Sequence, residues 1–177
     1  MDDKNTVRNT ELDKTQTSPN KFHPVALTIA GSDPSGGAGI QADIKTFHQF
    51  GVYGTTVLAV VTVQNTLRVS AVKPLPASIL LAQLNAVLED LPPQAAKTGA
   101  LGSKENVEAI AERAARFNFP LVVDPVIMSK HGKPMLEEDG AVAMIQKLLP
   151  QAFLVTPNLD EAMFISGIKI VGKDSME

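Results

Sequence analysis

AGSDPSGGAG, residues 30–39, places four glycines and a proline in ten positions directly behind the apolar run Val25-Ala26-Leu27-Thr28-Ile29-Ala30. The run reads as a buried strand. Ile40, Ile44 and Phe47, at helical spacing behind the glycines, make the whole a strand, a loop and a helix. The alternation continues along the chain. Strand-like runs at 25–30, 55–63, 95–98, 120–124 and 152–156 are separated by helical stretches, one over Leu80, Leu84, Val87, Leu88 and Leu91 and another over Val107, Ile110, Ala111, Ala114 and Phe117. Val142, Ile145, Leu148 and Leu149, closed by Pro150, predict a further helix. Strands alternating with helices predict an α/β fold with a mainly parallel sheet between two helical layers, taking its ligand at the carboxyl ends of the strands.

Composition narrows the partner. The chain has 177 residues, of which 44% are hydrophobic, enough for one domain with a core. Sixteen Lys and Arg face nineteen Asp and Glu, a net charge of −3 with no run of one sign, so the electrostatic footprint of a nucleic-acid binder is missing and a small molecule is the expected partner. The absence of cysteine excludes disulfides, thiolate nucleophiles and cysteine-held metals within these residues. Residues 1–21 read as a disordered polar tail and residues 22–177 as the domain. With no secretory pattern, and an apolar stretch of only Val57 to Val61, the expected location is the cytoplasm.

The glycines can be tested against known uses. Gly31 and Gly36 have the spacing of a P-loop, but Gly37 and Ala38 stand where its lysine and hydroxyl are needed. Gly37-Ala38-Gly39-Ile40-Gln41-Ala42 matches the dinucleotide pattern, yet no acid occurs between Asp43 and Glu89 to hold a ribose. What survives is a backbone surface, free of side chains, at the carboxyl end of a strand and beside a helix N-terminus.

The run Ala26 to Asp43, ALTIAGSDPSGGAGIQAD, resembles the amino-terminal motif of bacterial hydroxymethylpyrimidine/phosphomethylpyrimidine kinases of thiamine biosynthesis, members of the ribokinase-like superfamily. The likeness continues through Gln64-Asn65-Thr66, Lys97-Thr98-Gly99, Val123-Asp124-Pro125-Val126, Lys130-His131-Gly132 and Thr156-Pro157-Asn158-Leu159-Asp160-Glu161-Ala162, covering roughly residues 25–167. It implies a three-layer α/β/α ribokinase-like fold and phosphorylation of 4-amino-5-hydroxymethyl-2-methylpyrimidine, and then of its monophosphate, by ATP with Mg2+. It carries the pyrimidine contacts onto Gly31, Asp43, Gln64 and Val126. It assigns the nucleotide side to Asp124, Asn158 and Glu161, with Glu161 associated with magnesium, through water. A homodimer is implied for the full-length enzyme.

Other readings stay open beside it. Asn158 followed three residues on by Glu161 is also a capping box, which stabilises a helix with no chemistry. Asp43 also suits a solvated position in the first turns of a helix. Ala100 stands where the family usually has a methionine over the ring, which keeps a pyridoxal kinase in view. Lys130 could offer charge to phosphate or be a solvated loop lysine, while His23, His48 and His131 lack metal-ligand spacing. The resemblance further implies that the family's anion-hole loop lies beyond Glu177, so the catalytic loop is expected to be absent from this chain and the chain alone inactive. A non-catalytic pyrimidine-binding or interaction protein is the alternative.

Overall fold

The computed structural model describes residues 23–129, 132 and 134–172. The expected tail at 1–21, the readings of Lys130 and His131, and Lys173 to Glu177 lie outside the described residues. Six strands form one sheet in the order β3-β2-β1-β4-β5-β6. They are β1 (Val25–Gly31), β2 (Tyr53–Gln64), β3 (Val69–Pro74), β4 (Ala95–Thr98), β5 (Leu121–Val123) and β6 (Leu154–Val155). Every neighbouring pair is parallel except β2 and β3, which form an antiparallel hairpin at one edge. Among the described residues five α-helices accompany the sheet: α1 (Gly39–Gln49), α2 (Ala77–Asp90), α3 (Lys104–Ala114), α4 (Glu138–Ala143) and α5 (Leu159–Ser166). The helix expected before Pro150 is more broken than its periodicity suggests. α4 widens into a π-helical segment, Met144–Leu148, and closes through a 3-10 turn, Leu149–Gln151, that carries the proline.

The strand order decides where a ligand sits. β1 has β2 on one side and β4 on the other, so the chain winds outward from β1 in both directions and opens a crevice at the carboxyl ends of β1 and β4. One face of the sheet is closed by α2, α3 and α4 over a core of Leu27, Ile29, Val57, Leu80, Leu84, Val107, Ile110 and Val123, all fully buried. Each large aliphatic side chain so buried contributes about 2 kcal/mol. α1 covers the other face with no fully buried residue, and there β1 and β4 turn Thr28 and Lys97, paired in register, toward it. Asn106 ties the loops of the core side together. Its Nδ2 donates to the carbonyls of Leu75, before α2, and Leu101, after β4.

Candidate active site

A pocket of about 420 Å³ opens at the crevice, walled by the glycine loop after β1, the ends of β2 and β4, and the segment after β5. The loop is shaped from within by one carboxylate. Asp33 Oδ1 accepts from the Ser35 amide at 2.8 Å and hydroxyl at 2.7 Å, and Oδ2 from the amides of Gly37 at 3.0 Å and Ala38 at 2.8 Å. Gln41, one turn into α1, clamps the loop entrance. Its Oε1 accepts from the Asp33 amide at 2.8 Å, and its Nε2 donates to Ser32 Oγ at 2.8 Å. Thr62 of β2 donates to the Ser32 carbonyl at 2.7 Å, and Lys45 to the Gly36 carbonyl at 2.7 Å. Gly39 has φ +57°, and a Cβ there would overlap the Gly31 carbonyl, so the turn back over the strand end requires glycine.

Asp33 consumes three amides of the loop, and its bonds stop at Ala38, the N-cap of α1, which has no capping side chain of its own. Burial works against the ionised Asp33. The Ser35 hydroxyl and amide, joined by the Gln64 amide and Ala38 N–H, nonetheless hold the carboxyl below the usual range.

Of the residues singled out in the sequence, Gly31, Gln64, Asp124 and Val126 line this pocket together. Asp43 stands one layer behind, and the pocket wall in front of it is Lys97. The Lys97 ammonium lies 3.1 Å from each oxygen of the Asp43 carboxylate and 3.8 Å from Asp124 Oδ2. Thr28 donates to Asp43 Oδ2 at 2.6 Å. Thr28, Lys97 and the loop organisers Asp33 and Gln41 were not singled out as site residues by the sequence reading. A lysine inside a strand otherwise made of small and apolar residues is the signal that could have found Lys97, since a charge seldom enters a sheet interior without a partner.

Asp124 follows β5. Burial pushes its carboxyl above the usual range; Lys97 opposes the shift and Asp43 adds to it. Asn158 and Glu161 do not line the pocket. They begin α5 as a complete capping box, with Asn158 Oδ1 accepting from the Glu161 amide and Glu161 Oε2 from the Asn158 amide, each at 2.9 Å. Glu161 is buried, and burial raises its carboxyl, as does the nearby Asp124, while the Asn158 and Ile127 amides work the other way. A carboxylate raised by burial and by a neighbouring carboxylate is one a hard cation would help to ionise. The two described histidines do not line this pocket. His23 Nδ1 lies 2.8 Å from the Gly51 carbonyl, and His48 is in the last turn of α1.

The profile of the phosphomethylpyrimidine kinases matches residues 33–177. A hydroxymethylpyrimidine/phosphomethylpyrimidine kinase of Rhizobium meliloti is 47% identical over 151 residues, which cover 85% of this chain and 57% of that protein. The chain thus spans little more than half the length of the curated relatives it matches. Among solved structures, the phosphomethylpyrimidine kinase of Clostridium difficile superposes with a TM-score of 0.80 at 47% identity, covering 86% of this chain and 67% of the other. A pyridoxal kinase of Staphylococcus aureus in complex with pyridoxal reaches 0.77 at 39% identity, covering 87% and 58%. The family model spans most of the residues that form the sheet and the pocket, and the chain belongs to the phosphomethylpyrimidine kinase family.

Proposed function

We propose that this chain carries the acceptor-binding side of a kinase that transfers the γ-phosphoryl group of ATP to the hydroxymethyl oxygen of 4-amino-5-hydroxymethyl-2-methylpyrimidine, and then to the resulting monophosphate, in thiamine biosynthesis. The observation that carries the reading is the consumption of the loop amides by Asp33. A loop whose amides are already satisfied has little left to offer a phosphate. Its exposed glycine backbone suits a flat, uncharged ring. Gln64 supplies one donor and one acceptor to the edge of such a ring, and Gly31 and Val126 line the wall around it. Asp124, Asn158 and Glu161 then belong to the nucleotide side. There Asp124 and Glu161, through water, would hold the Mg2+ that offsets phosphate charge. Family structures solved with an ATP analogue, such as the pyridoxal kinase of Staphylococcus aureus with AMP-PCP, support nucleotide use. A cytoplasmic homodimer is part of the same reading.

Calorimetric titration of the chain with the pyrimidine tests it. Saturable binding is expected, weakened about tenfold by Gln64→Ala, the cost of losing one or two hydrogen bonds in a partly dry site. A chain that takes up no pyrimidine overturns the reading. Tighter binding of pyridoxal would favour the second one, pyridoxal kinase, for which the small Ala100 side chain on the pocket wall leaves room. ADP release in the presence of Mg-ATP reads turnover directly.

A further inference from the structure

Three charged side chains meet at the base of the pocket on the α1 side, contributed by α1, β4 and the segment after β5: Asp43, Lys97 and Asp124. They are not equivalent. Lys97 and Asp124 line the pocket, and Asp43 does not. Both oxygens of Asp43 are within 3.1 Å of the Lys97 ammonium, and one also accepts from Thr28, whose hydroxyl is fully buried with its residue. Both oxygens of this carboxylate are thus engaged by groups of the protein itself. Its effect at the pocket is the position it imposes on Lys97.

An ammonium has three protons and no acceptor. Asp43 occupies the inward side of the Lys97 ammonium, and Asp124, at 3.8 Å, is too distant for a hydrogen bond. A donor therefore remains for a ligand. The groups of an aminohydroxymethylpyrimidine that accept are its ring nitrogens and its hydroxyl oxygen. Lys97 shares the pocket wall with the glycine loop and lies 3.8 Å from Asp124, and Asp124 in turn acts electrostatically on Glu161 at the start of α5. In the proposed reaction the hydroxyl oxygen must face that end, because it is the phosphoryl acceptor.

We propose that Lys97 is the charged residue that contacts the substrate, donating to its hydroxymethyl oxygen, and that Asp43 and Thr28 are positioning residues that act through Lys97 rather than on the ring. The proposal rests on the pyrimidine reading and reassigns the roles within it.

Variants paired with trimmed ligands separate the possibilities. Affinity of the 177-residue chain is measured for 4-amino-5-hydroxymethyl-2-methylpyrimidine, for 4-amino-2,5-dimethylpyrimidine, which lacks the hydroxyl, and for 5-hydroxymethyl-2-methylpyrimidine, which lacks the amino group. Lys97→Met is expected to weaken the first and third ligands about tenfold or more and the second less than about twofold, since a hydrogen bond from a charged donor is lost only where an acceptor exists. Asp43→Asn and Thr28→Val are expected to follow the same ligand pattern with smaller losses, Thr28→Val by about threefold. If Lys97→Met fails to fold by circular dichroism, these two carry the test. Equal losses for hydroxyl-bearing and hydroxyl-free ligands overturn the proposal. An Asp43→Asn loss that disappears with the amino group also overturns it, by placing Asp43 on the ring. A wild-type chain that binds none of the three removes the pyrimidine reading itself, and the proposal with it.

Discussion

Asp33 shows how much one carboxylate can organise when it is buried among backbone amides. Its ring of donors, from Ser35 to Ala38, sets the loop that leads into α1 and lines the pocket. Asp33→Ala leaves those amides to compete for water in a partly buried turn and is expected to lower stability by about 2–3 kcal/mol, read as a shift in urea midpoint. The pH dependence has a definite sign. Asp33 is held below its ordinary range, so its contribution is complete above that range and is lost as pH falls through it. Asp124 and Glu161 are raised, and they act in the opposite direction. Their ionised forms are disfavoured by the fold, a cost absent below the ordinary carboxylate range that grows as pH rises through their folded values. Asp124→Asn removes a partly buried charge and leaves Lys97 its closer partner, Asp43. The variant is therefore expected to unfold at a higher temperature than the parent at pH 7, with the gain shrinking as pH falls toward about 4, the ordinary range of a carboxylate. A thermal melt series across that interval reads both signs.

Among the elements, α5 is the one most dependent on its cap. Eight residues are too few to hold a helix by propensity, and the reciprocal bonds between Asn158 and Glu161 satisfy two amides that would otherwise be orphaned. Asn158→Ala is expected to cost about 1 kcal/mol and to speed amide exchange across Leu159–Ser166 while leaving β1 and β4 protected. Both readings of the Asn158 and Glu161 spacing are thus compatible with one geometry, since a capping carboxylate can remain charged and close to Asp124. The parallel strands were legible because strands buried on both faces are written as unbroken apolar runs. β1 and β2 were expected at 25–30 and 55–63 and lie at Val25–Gly31 and Tyr53–Gln64. β3 was not legible. It is an edge strand, and in Val69-Ser70-Ala71-Val72-Lys73-Pro74 its polar residues, terminal proline and preceding Arg68 look like loop. The pocket was legible where glycines and a strand-end amide marked it. The Lys97 and Asp43 pair was not, because which of two opposite charges faces a cavity depends on the depth of α1 against the sheet, and no spacing records that.

Over the whole molecule the two faces of the sheet are unequal. The side closed by α2, α3 and α4 holds the core, whereas the last described strand and helix present large apolar side chains to solvent: Phe153 is 79% exposed and Phe164 50%, with Leu154, Leu159 and Ile168 nearby in sequence and similarly open. Soluble proteins seldom leave contiguous apolar surface of more than a few hundred Å² uncovered, and among the described residues β6 is a sheet edge as well. Such a surface seeks cover from more chain, another copy or a partner. With none of these supplied in dilute solution, the chain is expected to self-associate as concentration rises. Sedimentation velocity over a hundredfold concentration range reads this as an increasing mean coefficient. Phe153→Ser combined with Phe164→Ser is expected to reduce the association while changing the thermal midpoint little, because exposed side chains contribute only about 0.5 kcal/mol or less to the fold. Pyrimidine affinity should be unaffected, since neither residue lines the pocket. A parent chain that stays monomeric throughout, and that fails to brighten an apolar dye, would mean that this surface is covered in solution by a rearrangement of α5.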